Sequence, residues 1–150
     1  MNLEARSQFQ PWIRWLVRFI LGGIFIYAAI IKIASPLDFA DSIAAYRILP
    51  YSIINPFAWG LPFFELACGL LVLTGFLERL GLLGIIGVLV VFIVALGLAL
   101  VRHLSIDCGC FGHHAWIDTN PWTALIRDVV LLGIASSAYL YSLRDLSDPV

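Results

Sequence analysis

The chain has 150 residues, of which 61% are hydrophobic and 13% charged, and its mean hydropathy is +0.96. Soluble domains are not this apolar, so an integral membrane protein is expected. The net charge of -1 at pH 7, with no Lys/Arg-rich stretch, excludes nucleic acid as a partner recognised through a basic surface.

Four apolar runs, at 12–34, 57–76, 81–101 and 122–141, are each about 20 residues long. As helices they measure about 30 Å, enough to cross a bilayer. The predicted fold class is all-α: a four-helix transmembrane bundle that forms one domain over 1–150. The first run is too long for a signal-peptide core, and Tyr27-Ala28-Ala29 leads into more apolar residues and Lys32, so it is read as a retained span. Ser35-Pro36 closes it.

Between the first two spans, Phe39, Ile43 and Tyr46 recur at helical spacing opposite Asp38, Asp41 and Ser42. This pattern predicts a short amphipathic helix lying along the interface. Asn55-Pro56 and Asn120-Pro121 each pair an N-capping side chain with a proline suited to a first helical turn, and so predict the starts of the second and fourth spans. Trp12, Trp15, Trp59, Trp116 and Trp122 fall near proposed span ends, where an indole can sit at headgroup level. Gly22-Gly23 and the series Gly81, Gly84, Gly87 would let helices approach closely.

An even number of spans puts both termini on one side. Arg6, Arg14, Arg18, Arg79 and Arg144 collect there, against Lys32, Arg47, Arg102 and Arg127 at the other end. The positive-inside tendency then predicts cytoplasmic termini, in a cytoplasmic (inner) membrane, with the 102–121 connection extracytoplasmic.

Ionisable residues within spans are costly and call for a reason. Glu65 is the clearest, predicted about 13 Å along the second span from Pro56 and facing the bundle interior. Lys32 approaches from the outer end of the first span and can pair with it if its stem reaches inward. Arg102 and Arg127-Asp128, at the outer ends of the third and fourth spans, can extend this network. These residues read equally as a structural ion pair that fixes helix register and as a site for proton supply or a quinone headgroup.

Cys108-Gly109-Cys110-Phe111-Gly112 is the stretch with the clearest chemistry. Bonding two sulfurs whose residues are two apart needs a bent backbone, and Gly109 lowers the steric cost of that bend. The small ring would be strained and so exchange readily. His103, His113 and His114 can stabilise a thiolate and Asp107 would oppose it. Two other readings of the pair are packing without redox chemistry, and a metal site. The latter departs from the usual zinc spacings and favours Cu(I) by ligand softness. Cys68 lies mid-span among apolar neighbours and is expected to be inert packing. With a single reachable pair, electrons would enter or leave from the outer side or through a lipid-soluble carrier such as a quinone.

Ile30-Ile31-Lys32-Ile33, Ser35-Pro36, Phe39-Ala40, Tyr46-Arg47-Ile48-Leu49-Pro50, Leu61-Pro62, Glu65-Leu66 and Asp107-Cys108-Gly109-Cys110-Phe111-Gly112 together resemble the MauE family, methylamine-utilisation membrane proteins related to the DoxX-like group. The resemblance covers nearly the whole chain. It implies four transmembrane helices and a part in maturing the disulfide-rich small subunit of methylamine dehydrogenase beside MauD, a thioredoxin-like protein. The family's paired cysteines fall on Cys108 and Cys110, and its polar span positions on Lys32 and Glu65. Quinone-linked disulfide-forming membrane enzymes, which have a similar four-helix arrangement, use Cys-x-x-Cys, and this chain departs from that spacing.

The expected function is thiol-disulfide exchange by Cys108 and Cys110 with an extracytoplasmic thioredoxin-like partner, in support of oxidative maturation of a secreted disulfide-containing client. The alternatives are a non-catalytic scaffold that docks such a partner, and a metal or small-molecule carrier using Glu65 and Lys32.

Overall fold

The computed structural model describes residues 3–102 and 121–144, with side chains from Trp12 onward except that of Ile13. Five helices follow in chain order: α1 (Leu3–Ala34), α2 (Pro36–Ala45), α3 (Tyr51–Thr74), α4 (Glu78–Val101) and α5 (Pro121–Arg144). No strand occurs among the described residues. Four stretches, Arg14–Ala34, Tyr51–Thr74, Glu78–Val101 and Pro121–Arg144, are long and apolar enough to cross a membrane, and their outward faces carry Leu, Ile, Val and Phe at about half exposure. This is an all-α, multi-pass membrane bundle.

The spans alternate in direction. Gly22 of α1 lies against Gly69 of α3, while Lys32, near the end of α1, reaches Glu65, nearer the start of α3. Gly81 and Gly84 of α4 meet Val72 and Cys68 of α3 in the same antiparallel sense, and Arg79 of α4 meets Ser142 of α5. Three of the expected small-residue contacts are therefore formed: a Cβ on Gly22, Gly81 or Gly84 would press on the facing helix, and one on Gly84 would fall on the Cys68 sulfur. Gly23 and Gly87 face open space, because close approach depends on the helix face and not on glycine content. Cys68, buried and free, fills the gap that Gly84 leaves. The core of the bundle runs through Leu21, Phe25, Val72, Leu82, Ile85, Leu89, Leu131 and Ala135.

The amphipathic helix expected between the first two spans is α2, with Asp38 and Asp41 exposed and Phe39 and Ala40 buried. Its apolar face is taken up by α3, where Phe39 and Ala40 pack with Ile54 and Ala58. That contact explains where α3 begins. The Asn55-Pro56 pair predicted a start at that point, but α3 begins at Tyr51, and Pro56 and Pro62 lie inside it. Each proline deprives one carbonyl of its helical donor, a loss that transmembrane helices tolerate when neighbouring elements hold the chain; here Ile54, only 5% exposed, is held against α2. Trp59 consequently lies about 12 Å along α3 and not at its end. α1 also begins before the predicted boundary, at Leu3.

At the far end, α3 stops at Gly75, whose φ of 75° lets its N–H bond back to the Leu71 carbonyl. Leu77, with φ 54°, completes the turn into α4. Substituting Gly84 with alanine is expected to destabilise the bundle by about 1–3 kcal/mol through overpacking. Gly87→Ala is expected to be neutral or stabilising by up to about 1 kcal/mol. Denaturant titration in detergent micelles distinguishes the two, and equal stabilities would refute the packing account.

Candidate functional site

Lys32 is two residues from the end of α1, where a lysine ordinarily turns outward to water. Here it does the reverse: Lys32 is 2% exposed and Glu65 1%, and Lys32 Nζ donates to Glu65 Oε1 and Oε2 at 2.7 Å each. Helix geometry accounts for the meeting. Every Cα–Cβ bond leans toward its own helix N-terminus, so on antiparallel neighbours Lys32 leans back into the bundle and Glu65 leans out toward the α2 end. The two side chains converge from different heights. Glu65 itself lies about 21 Å along α3 from Tyr51, deeper than a helix starting at Pro56 would place it.

Two aromatic rings complete the ammonium's surroundings. Nζ is 5.1 Å from the Phe39 ring centroid and 4.7 Å from that of Phe92, both within the range of a cation–π attraction. One lysine of α1 thus touches α2, α3 and α4. α5 supplies the fourth wall, since Asp128 and Arg127 line the same cavity as Lys32, Glu65 and Phe92. Asp128 is 2% exposed and lies about 10 Å along α5, within the bundle and not at its outer rim. Its Oδ1 accepts Arg127 Nε at 3.0 Å and Nη2 at 2.9 Å. With all four groups ionised their charges cancel, the condition under which charges are tolerated inside a span.

The cavity measures ≈ 30 Å³, room for about two or three waters at about 10–15 Å³ each and for nothing the size of a quinone ring. Asp128 Oδ2 is buried beside it with no hydrogen-bond partner among the described residues, and a bound water would supply the donor it requires. The larger space at this end is a separate apolar groove of ≈ 370 Å³ beneath α2, lined by residues of α2, α3 and α4 including Ile43, Phe57, Val91 and Leu98. Phe92 lines both spaces, and Phe39 lines the groove while its ring faces the Lys32 ammonium. They stand between the groove and the ammonium.

Of the predicted site residues, the structure brings Lys32, Glu65 and Asp128 together and leaves Arg102 apart. Arg102 Nη1 donates to the Arg47 carbonyl at 3.4 Å, tying the end of α4 to the turn after α2. The reason is register: Arg102 follows the last residue of α4, nearly three turns beyond Phe92. Cys108 and Cys110 lie outside the described residues, as do His103, Asp107, His113, His114 and Trp116. The segment that carries them is joined to α4 at Arg102 and to α5 at Pro121, both at the α2 end of the bundle. Among the described residues no group of three His, Cys, Asp or Glu side chains could hold a metal ion.

A second polar cluster occupies the opposite end, and sequence reasoning missed its centre. Glu78 Oε2 accepts Arg14 Nη2 at 2.9 Å and also Arg18 Nη2. The signal available was an acidic residue at the turn between the second and third spans, the same end as Arg14 and Arg18.

The family model for methylamine utilisation protein MauE matches residues 10–141. Curated relatives include methylamine utilization protein MauE of Paracoccus denitrificans, 28% identical over 84% of this chain and 68% of the relative. The protein of that name from Methylophilus methylotrophus is 30% identical over 83% of this chain and 66% of its own length; that of Paracoccus versutus is 29% identical over 86% and 69%. The chain therefore spans about two thirds of the length of these relatives. No solved structure matches it.

Removing one partner of the buried pair strands the other charge. Lys32→Met and Glu65→Leu are each expected to destabilise the bundle by about 3–5 kcal/mol. The double variant Lys32→Met/Glu65→Leu should recover most of that loss. A double-mutant cycle in micelles reads the coupling, and additive losses would show that the pair carries none.

Proposed function

Since this chain belongs to the MauE family of methylamine utilisation proteins, we propose that it is the membrane thiol-disulfide exchange protein of a methylamine utilisation system. Cys108 and Cys110 are the exchanging pair. A thioredoxin-like protein on the extracytoplasmic side is the redox partner, and the client is a secreted disulfide-containing protein of the type of the methylamine dehydrogenase small subunit. The observation that carries this reading is the extent of the family match, which takes in the apolar helices and the Cys-Gly-Cys element between α4 and α5 together.

The chemistry is balanced without another reagent. A thiolate of the dithiol protein attacks one sulfur of the disulfide protein, a mixed disulfide forms, and the second thiol of the attacker resolves it. One S–S bond breaks and one forms, and two electrons and two protons pass from dithiol to disulfide. Either of Cys108 and Cys110 can take the attacking position.

In this reading Lys32, Glu65 and Asp128 are positioning residues. They fix the α2 end of the bundle, from which α4 and α5 carry the cysteine segment. The arginine-bearing end faces the cytoplasm and the α2 end faces outward, in the cytoplasmic membrane. For a quinone, the candidate lipid-soluble carrier, the residues of suitable size and polarity to hold it are those of the apolar groove beneath α2, because the cavity at the ion pair admits only water.

Single replacement of Cys108 or Cys110 by serine is expected to trap a mixed disulfide with the partner, visible as a higher-mass species that reduction removes. The double variant should stop client maturation. Client maturation at the wild-type level in that double variant would defeat the proposal.

A further inference from the structure

The cavity at the buried ion pair holds two hydrogen-bonding groups that the surrounding side chains leave unspent. An ammonium has three donors, and Lys32 Nζ gives two of them to Glu65 Oε1 and Oε2; no third oxygen accepts from it among the described residues. Asp128 accepts Arg127 through Oδ1, while Oδ2 is buried without a donor among the same residues. Lys32 and Asp128 are each 2% exposed, and both line the space of ≈ 30 Å³. They form no direct ion pair with each other. A donor on α1 and an acceptor on α5 therefore share a small space whose other walls are largely apolar, from Ile24, Phe25, Ala28, Leu89 and Leu131.

The balance of charge decides what fits between them. A cation placed here would meet the Lys32 ammonium and the Arg127 guanidinium, and an anion would meet the Glu65 and Asp128 carboxylates, so neither gains from the site as a whole. The occupant has to be neutral and small, to donate to Oδ2 and to accept from Nζ. Water meets each requirement, and the space is large enough for it.

We propose that the cavity is a proton-transfer site in which water bridges Lys32 Nζ and Asp128 Oδ2. An Nζ proton passes to the water oxygen as one of the water protons passes to Oδ2. The products are a neutral amine, still donating to the Glu65 carboxylate, and a neutral Asp128 carboxyl; the charges that remain, on Glu65 and Arg127, cancel. The reverse transfer restores both ion pairs. The same bridge links α5 to α1 where no direct polar bond joins Asp128 to Lys32. The site stands independently of thiol exchange, since its residues and its chemistry are separate from the cysteine pair.

Lys32 is the only lysine in the chain, so isotopic labelling of the lysine side-chain nitrogen gives a single signal to follow by NMR of the full chain in detergent micelles. The unmodified protein is expected to show a rotating-frame Overhauser contact between the Nζ protons and water, together with exchange peaks, which have the opposite sign. Asp128→Leu removes the acceptor and fills the cavity, and should abolish the contact. Asp128→Asn still bonds to water but cannot take its proton; the contact should remain while exchange of the Nζ protons slows by about a hundredfold, as on loss of a positioned base. Arg102→Gln should change neither. In the unmodified protein, a contact from Nζ to another side chain in place of water would overturn the bridge, and a water contact without exchange would overturn the transfer. A water contact unchanged in Asp128→Leu, or exchange unchanged in Asp128→Asn, would do the same.

Discussion

The Lys32–Glu65 ion pair is the constraint around which the bundle is arranged. A lysine or a glutamate alone at this depth would be costly, and each is held there by the other, at 2.7 Å through both carboxylate oxygens. Because Nζ also faces the rings of Phe39 and Phe92 and shares its cavity with Asp128, a single ammonium sets the relative height of all five helices. Apolar packing in lipid is weakly directional, since the tails are as hydrophobic as leucine. A buried ion pair between antiparallel helices has one satisfactory register, and a slip by a turn would separate the charges.

Two polar clusters thus fasten the two ends of the bundle. At one end the pairing is internally balanced and closed around a water-sized cavity. At the other, Arg14 and Arg18 share the Glu78 carboxylate. The first fixes geometry at the end from which α4 and α5 carry their connecting segment. For the proposed thiol exchange, the first cluster would serve as the fixed platform from which the pair is presented to a visiting protein.

Much of this was legible in the residues. Hydropathy gave the four spans, the spacing of Phe39, Ile43 and Tyr46 gave α2, and two isolated charges in apolar runs gave the Lys32–Glu65 pair. What was not legible depended on tertiary contacts. The start of α3 at Tyr51 overrides the local signal of Asn55-Pro56 because Ile54 is buried against α2, a contact between segments that no window of sequence contains. Arg102 and Asp128 both looked like span-end charges, yet one is tied to the turn after α2 and the other is buried in the cavity, since helix phase and not hydropathy decides which way each side chain faces. Gly69, which meets Gly22 across the α1–α3 contact, shares its run with Gly60 and Gly75 at no three- or four-residue spacing, and so gave no pattern to read.

The central claim is that Cys108 and Cys110 cycle between dithiol and disulfide in exchange with a partner. The direct measurement is their redox state in intact cells, by alkylation and mass shift, with and without the thioredoxin-like partner. The account predicts an alkylation-resistant pair that becomes reactive under mild thiol buffer, with a ratio of the two states that changes when the partner is absent. Two sulfurs that are alkylated to the same extent under every condition, or a bond that resists mild reduction and ignores the partner, would contradict it.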